Sequence, residues 1–210
     1  MFMINLLIVF SLLFSACSTS GLKDGVAKTN VVSDTSKILI VYLSRTNNTK
    51  AIAEIIHKNA GGTLVALELE KPYPDNYQQT VQQVVHENEE GYLPPLKTKI
   101  GSMENYDVVF VGFPTWGMRL PPPIKSFLTQ YNLSGKTVIP FNTNAGYGTG
   151  SGFDTVKELC KDSKILEGFT IHGGIERDGV YLAIKDEKRR EAESKVRDWL
   201  KRLKLLQNVP

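Results

Sequence analysis

Six consecutive residues, Ser44-Arg45-Thr46-Asn47-Asn48-Thr49, carry five hydroxyl or amide side chains directly before a stretch with helical apolar spacing. The unpaired N–H groups and positive dipole end of a helix N-terminus favour an anion. Ser44, Thr46, Asn48 and Thr49 can add side-chain hydrogen bonds to a phosphate there. Plain N-capping needs one such residue, not five. The loop has no Gly-Lys-Ser/Thr of a Walker motif, and no Gly-x-Gly-x-x-Gly follows the first apolar run. Two further loops stand out: Pro114-Thr115-Trp116-Gly117-Met118, and Asn142-Thr143-Asn144-Ala145-Gly146-Tyr147-Gly148-Thr149-Gly150. Trp116 lies in a loop between Pro114 and Gly117, off any apolar helical stripe, so it is a poor core residue. Tyr147 sits between glycines that permit close backbone approach to a flat ligand, with a mere turn residue as the alternative. No catalytic side chain is expected. His57, His86 and His172 are too scattered for a metal site, and Ser44 has no evident His/Asp partner for nucleophilic hydrolysis.

These loops need a scaffold, and the apolar runs supply one. Ile38–Leu43, Thr63–Leu69, Val108–Phe113, Thr137–Phe141 and Ile165–Ile171 read as strands. Helices are expected over Thr49–Lys58, where Ile52, Ile55 and Ile56 mark a buried face, and from about Asn76 to Asn88, where Val81, Val84 and Val85 have helical spacing. Further helices are expected over Pro121–Tyr131 and Phe153–Cys160, and from near Asp186 with Ala192, Val196, Trp199, Leu200 and Leu203 inward. Val108–Phe113 is apolar on every residue, as in a strand covered on both faces. Five alternations of strand and helix argue for an α/β, doubly wound parallel sheet. In such a sheet ligands bind beyond the carboxyl ends of the strands, where all three unusual loops fall.

The 210 residues are 41% hydrophobic and 22% charged, an ordinary globular composition that excludes wholesale disorder. Two cysteines, Cys17 and Cys160, exclude a disulfide scaffold, and Cys160 is expected as a small buried hydrophobe. A net charge of +3 is too slight to imply nucleic acid. The charge collects in Lys185–Lys204, with nine Lys or Arg against five Asp or Glu. That segment reads as a solvated outer face, with attraction to anionic lipid as the sharper alternative.

Tyr42, Ser44, Thr49 and Ala53 reproduce the spacing of the flavodoxin signature, with Asn47 where that family usually has Gly, Ala or Cys. Asn tolerates the left-handed backbone a tight turn needs. The other two loops follow in the expected order, and the chain over 37–207 resembles a short-chain flavodoxin. The resemblance implies a flavodoxin-like, five-stranded sheet of order 2-1-3-4-5 and FMN as cofactor. By the same resemblance Ser44, Thr46, Asn48 and Thr49 would hold the phosphate. Thr115, Trp116 and Gly117, after Pro114, would line the isoalloxazine. Asn142, Thr143, Asn144 and Gly146 would meet its pyrimidine edge, and Tyr147 its outer face. The implied activity is electron transfer to a redox partner protein or a small-molecule acceptor. An FMN-dependent reductase of quinones or other small acceptors, or a non-redox anion-binding protein, is the alternative. Residues 113–123 and 141–153 contain no Asp or Glu, whereas many flavodoxins ring the cofactor with carboxylates. The second reduction of the flavin is therefore expected to be less suppressed here. The long Glu70–Tyr106 connection, with Tyr73, Tyr77 and Tyr92, is either surface packing or the wall of a substrate pocket.

Met1–Phe14 is an uncharged apolar run, followed by the small residues Ser15-Ala16 and then Cys17. Leu13–Cys17 resembles a bacterial lipobox, which implies cleavage before Cys17 and lipidation of its thiol. Ser18–Ser36 reads as a flexible tether. The expectation is an extracytoplasmic, membrane-anchored lipoprotein whose folded domain is 37–210. An ordinary signal peptide or a short anchor, with Cys17 incidental, is the alternative.

Overall fold

A computed structural model describes residues 37–207; Cys17, the apolar segment and the tether lie outside the described residues. Val31–Pro210 forms a compact unit by itself. In chain order it runs β1 (Ile38–Tyr42), α1 (Asn48–Ala60), β2 (Thr63–Ala66), α2 (Tyr77–Glu90), β3 (Val108–Pro114), α3 (Pro122–Gln130), β4 (Thr137–Asn144), α4 (Gly152–Leu159), β5 (Lys164–Ile165), β6 (Phe169–His172) and α5 (Asp186–Arg202). The strands are parallel in the order β2-β1-β3-β4-β5, with β6 also paired to β4.

The two-residue period of the strands divides the core. Ile38 and Ile40 of β1 and Phe110 of β3 face α1 and α5, where they meet Ile52, Ile56, Val196 and Trp199. Leu39, Val41, Val109, Val111 and Phe113 face the other way, toward Ile124 and Phe127 of α3 and Val156 of α4. Trp199 is core as its helical position implies, its indole N–H donating to the Glu167 carbonyl at 2.9 Å. Gly112 is the one β3 residue with no room for a side chain, since a Cβ there would fall 2.1 Å from the Phe141 ring. Cys160 is buried, and burial pushes its thiol up to about 11.

Two expectations need correction. The single strand over Ile165–Ile171 is two short strands at one sheet position. The carbonyls of Val138 and Asn144 accept from Leu166 and Gly173, so the even-numbered residues of β4 turn their backbone groups to this edge. Pro140 is one of them and has no N–H to give, and the edge strand breaks opposite it. The second strand ends at Ala66, three residues early, and Leu69 instead pairs antiparallel with Leu96. Helix α2 forms as its spacing implies, with Val84 buried and Val81 and Val85 37% and 48% exposed.

Candidate functional site

At the carboxyl edge of the sheet a cavity of about 400 Å³ lies among the loops after β1, β3, β4 and β6, with α2 along it. The β1 loop reaches its helix through Asn47, whose φ of 62° is the left-handed turn expected of that residue. Ala51 is the first residue of α1 whose N–H reaches back to an i−4 carbonyl, that of Asn47. The N–H groups of Asn48 and Thr49, one turn earlier, have no such acceptor among the described residues. Ser44 takes the capping role: its Oγ accepts from the Lys50 N–H at 3.2 Å, and it does not border the cavity. Thr46 and Thr49 do border it. The Thr49 and Thr143 hydroxyls share one hydrogen bond of 2.8 Å, which leaves the pair one proton to donate elsewhere.

Asn48 borders the cavity too, but its amide is spent inside the protein. Its Nδ2 donates to the Thr46 hydroxyl at 2.9 Å and to the Tyr181 carbonyl at 2.6 Å. Its Oδ1 accepts from the N–H groups of Ala183 and Ile184 at 2.9 and 3.1 Å. The side chain therefore ties the β1 loop to the segment before α5, and only its backbone N–H is left for an anion.

Trp116 stands at the start of a tight turn in which the Arg119 N–H donates to the Trp116 carbonyl at 3.0 Å. Gly117 and Met118 have φ of 55° and 59°, the two positive values of a type I′ turn. The Trp116 ring is half-buried, with Tyr73 edge-on at 5.4 Å, and Tyr73 donates in turn to Glu87 of α2 at 2.5 Å. Burial and that carboxylate raise the Tyr73 hydroxyl pKa, so it remains a donor. The β3 and β4 loops are stitched together: Thr115 donates through its N–H to the Thr143 carbonyl at 2.9 Å and through its hydroxyl to the Gly148 carbonyl at 2.8 Å. Pro114, Trp116, Gly117, Asn144 and Tyr147 reach the cavity, with Tyr147 67% exposed. Asn142 and Gly146 do not reach it. The Asn142 amide lies fully buried beneath, donating to the Phe113 carbonyl and to Thr115.

Sequence reasoning passed over two parts of this site. Gly173–Arg177, after β6, forms a further wall, and the Gly173-Gly174 pair was its one signal of close backbone approach. Arg45 joins three segments: its Nε meets Glu176 at 2.7 Å, and its terminal nitrogens donate to the Pro74 and Asp75 carbonyls at 2.9 and 2.6 Å. Tyr77 borders the cavity and Tyr73 supports Trp116, whereas Tyr92 does neither. Among the described residues, Arg45, Glu176 and Arg177 are the charged side chains on the cavity. The first two pair with each other and Arg177 with Asp178.

A parallel sheet of this order, with an anion-ready helix start and an aromatic loop at its switch point, defines the class to which FMN-carrying α/β proteins belong. The chain belongs to the flavodoxin family: the family model described as Flavodoxin matches residues 37–186. A candidate flavoprotein from Bacteroides eggerthii is similar at 29% identity and TM-score 0.63, over 79% of this chain and 96% of that one. Another from Bacteroides uniformis shares 22% identity at TM-score 0.63, over 77% and 97%. A flavoprotein from Lactobacillus acidophilus, solved in complex with FMN, shares the fold at 23% identity and TM-score 0.56, over 69% and 98%. No curated protein matches.

Proposed function

We propose that this protein binds FMN in the cavity and carries electrons at the extracytoplasmic face of a membrane, to which a lipidated Cys17 holds it. The observation that carries the reading is the joint one: free helix-start N–H groups on one wall and two aromatic loops, stitched together, on another. Bound there, FMN supplies the redox chemistry, and the protein supplies grip and electrostatics. Thr46, Thr49 and the N–H groups of Asn48 and Thr49 would hold the phosphate, with Ser44 supporting the turn. Trp116 and Tyr147 would flank the ring, and the β4 loop would serve its polar edge. The FMN complex of the Lactobacillus acidophilus flavoprotein supports the cofactor, and the order Leu13 to Cys17 supports the anchor.

The Val31–Pro210 unit should purify yellow, release FMN on denaturation, and lose at least tenfold in FMN affinity as Trp116→Ala. Colourless protein that stays colourless after FMN addition would end the assignment. In the same host the full chain should sediment with membranes and take up labelled palmitate, and Cys17→Ser should abolish the labelling; a full chain that takes up no label would remove the lipid anchor.

The charges on the cavity bear on potential. A carboxylate about 8 Å from a developing flavin charge, at an effective dielectric near 20, opposes it by on the order of 2 kcal/mol. Among the described residues Glu176 is the cavity's one acid, and it is neutralised by Arg45 at 2.7 Å. A redox titration should therefore find the second electron entering at a less negative potential than in flavodoxins ringed with carboxylates. A second couple as negative as theirs would contradict this.

A further inference from the structure

Glu87 of α2 is 4% exposed and, among the described residues, joins no ion pair. A buried carboxylate ordinarily has a cation beside it. The partners of Glu87 are two neutral donors instead: the Tyr73 hydroxyl on Oε2 at 2.5 Å and the Gln83 amide on Oε1 at 2.8 Å. The Tyr73 ring stands edge-on to Trp116, with centroids 5.4 Å apart, a separation at which two rings touch. Trp116 borders the cavity, whereas Tyr73 and Glu87 do not, so no ligand of the cavity accounts for the pair. An indole open to the cavity is thus followed by a phenol, and the phenol by a buried proton acceptor.

That order of groups suits the movement of an oxidising equivalent. A phenol that loses an electron becomes a strong acid, so its oxidation is easy only where a base already holds the hydroxyl proton. Glu87 is such a base, and Tyr73 keeps its proton until it is oxidised, because burial and the carboxylate both raise its pKa. Taking up the proton also neutralises a carboxylate whose burial is costly. An oxygen- or nitrogen-centred radical entering the cavity takes one electron from Trp116, is reduced to its anion, and leaves an indole radical cation. One electron then passes from Tyr73 to Trp116 and restores the indole, while the phenolic proton moves to Oε2 of Glu87. The products are a neutral tyrosyl radical and a protonated Glu87, so the positive charge and the carboxylate cancel.

We propose that Trp116, Tyr73 and Glu87 form a proton-coupled relay that draws a one-electron oxidation out of the cavity and holds it on Tyr73. The inference goes beyond the FMN reading, since both groups that exchange the electron and the group that takes the proton belong to this chain. Pulse radiolysis of the Val31–Pro210 unit without FMN tests it, with the azidyl radical, which prefers indoles, as the oxidant. Trp199 is 1% exposed and is shielded from it. Tryptophan-radical absorbance should decay as tyrosyl-radical absorbance rises, at a rate independent of protein concentration. Trp116→Phe and Tyr73→Phe should each cut that rise at least tenfold. Glu87→Gln keeps the shape and an acceptor oxygen but takes no proton, so it should slow the transfer at least tenfold, with near-UV circular dichroism unchanged. Heavy water should slow the unsubstituted protein at least twofold, a readout that needs no variant. The relay is overturned by the absence of a concentration-independent rise, or by a rise that survives loss of Tyr73 or Trp116. A rate unchanged in heavy water, or in a folded Glu87→Gln protein, overturns it equally, because the carboxylate then takes no proton.

Discussion

Asn48→Ala should lower the unfolding free energy by about 2–4 kcal/mol, because it strips partners from several backbone groups at once. The Tyr181 carbonyl loses its donor, and the Ala183 and Ile184 N–H groups lose their acceptor. Ile184 is almost fully buried, so its orphaned N–H has poor access to water. Gly173 and Gly174 pack against the same amide, with a Cβ at Gly174 falling 2.0 Å from the Tyr181 carbonyl, so the surrounding loop has little freedom to close the gap. Asn48→Asp is nearly the same shape and should be no milder. It keeps the acceptor for the two N–H groups but turns a carboxylate oxygen toward the Tyr181 carbonyl that Nδ2 now approaches at 2.6 Å. Urea unfolding with an unchanged m-value reads the loss. A side chain whose main role was to grip phosphate would behave differently. Its removal would leave the urea midpoint in place and cost FMN affinity alone, and that pattern would refute the clamp.

The contrast between Asn48 and its neighbours shows where the sequence could be read and where it could not. A run of five hydroxyl and amide side chains marks a loop with hydrogen bonds to give, and it does border a cavity. Composition says nothing of which way each one turns. Asn48 turns inward to partners 133 to 136 residues away, and Ser44 turns to cap its own helix. Arg45 was equally opaque, since its three partners lie 29, 30 and 131 residues along the chain. The strands β1 and β3 were legible because unbroken apolar runs have few alternatives to a doubly covered strand. The split of the last sheet position was not, because its cause is Pro140 in a different strand. Helical period likewise placed Val81, Val84 and Val85 on α2 without saying what they would face. Periodicity reports that an apolar row exists; only tertiary structure reports whether core or cavity receives it.

The aromatic loop supplies the second large effect. Gly150→Ala should cost about 2–4 kcal/mol of stability, combining a left-handed backbone with overpacking against a rigid neighbour. Gly150 has a φ of 55°, and a Cβ there would sit 2.0 Å from the Met118 carbonyl oxygen and 2.5 Å from its carbon. Those atoms are backbone, and they cannot swing aside as the end of a side chain would. The same carbonyl accepts the Ser151 N–H at 3.0 Å, so the contact is the pin that holds the Trp116–Arg119 turn against the start of α4. Met118 already occupies a φ of 59° that a side chain disfavours, and a displaced turn has an easy route to relax by giving up that conformation. Trp116 opens the turn, so its ring should move with it, and FMN affinity should fall at least tenfold alongside stability. Gly148→Ala is the matched control. Gly148 is also left-handed, at φ 84°, but a Cβ there meets nothing within 4 Å, so backbone strain of roughly 1 kcal/mol is all it should cost. If the two alanines destabilise equally and leave FMN affinity alike, the pin between Gly150 and Met118 does not hold the aromatic loop.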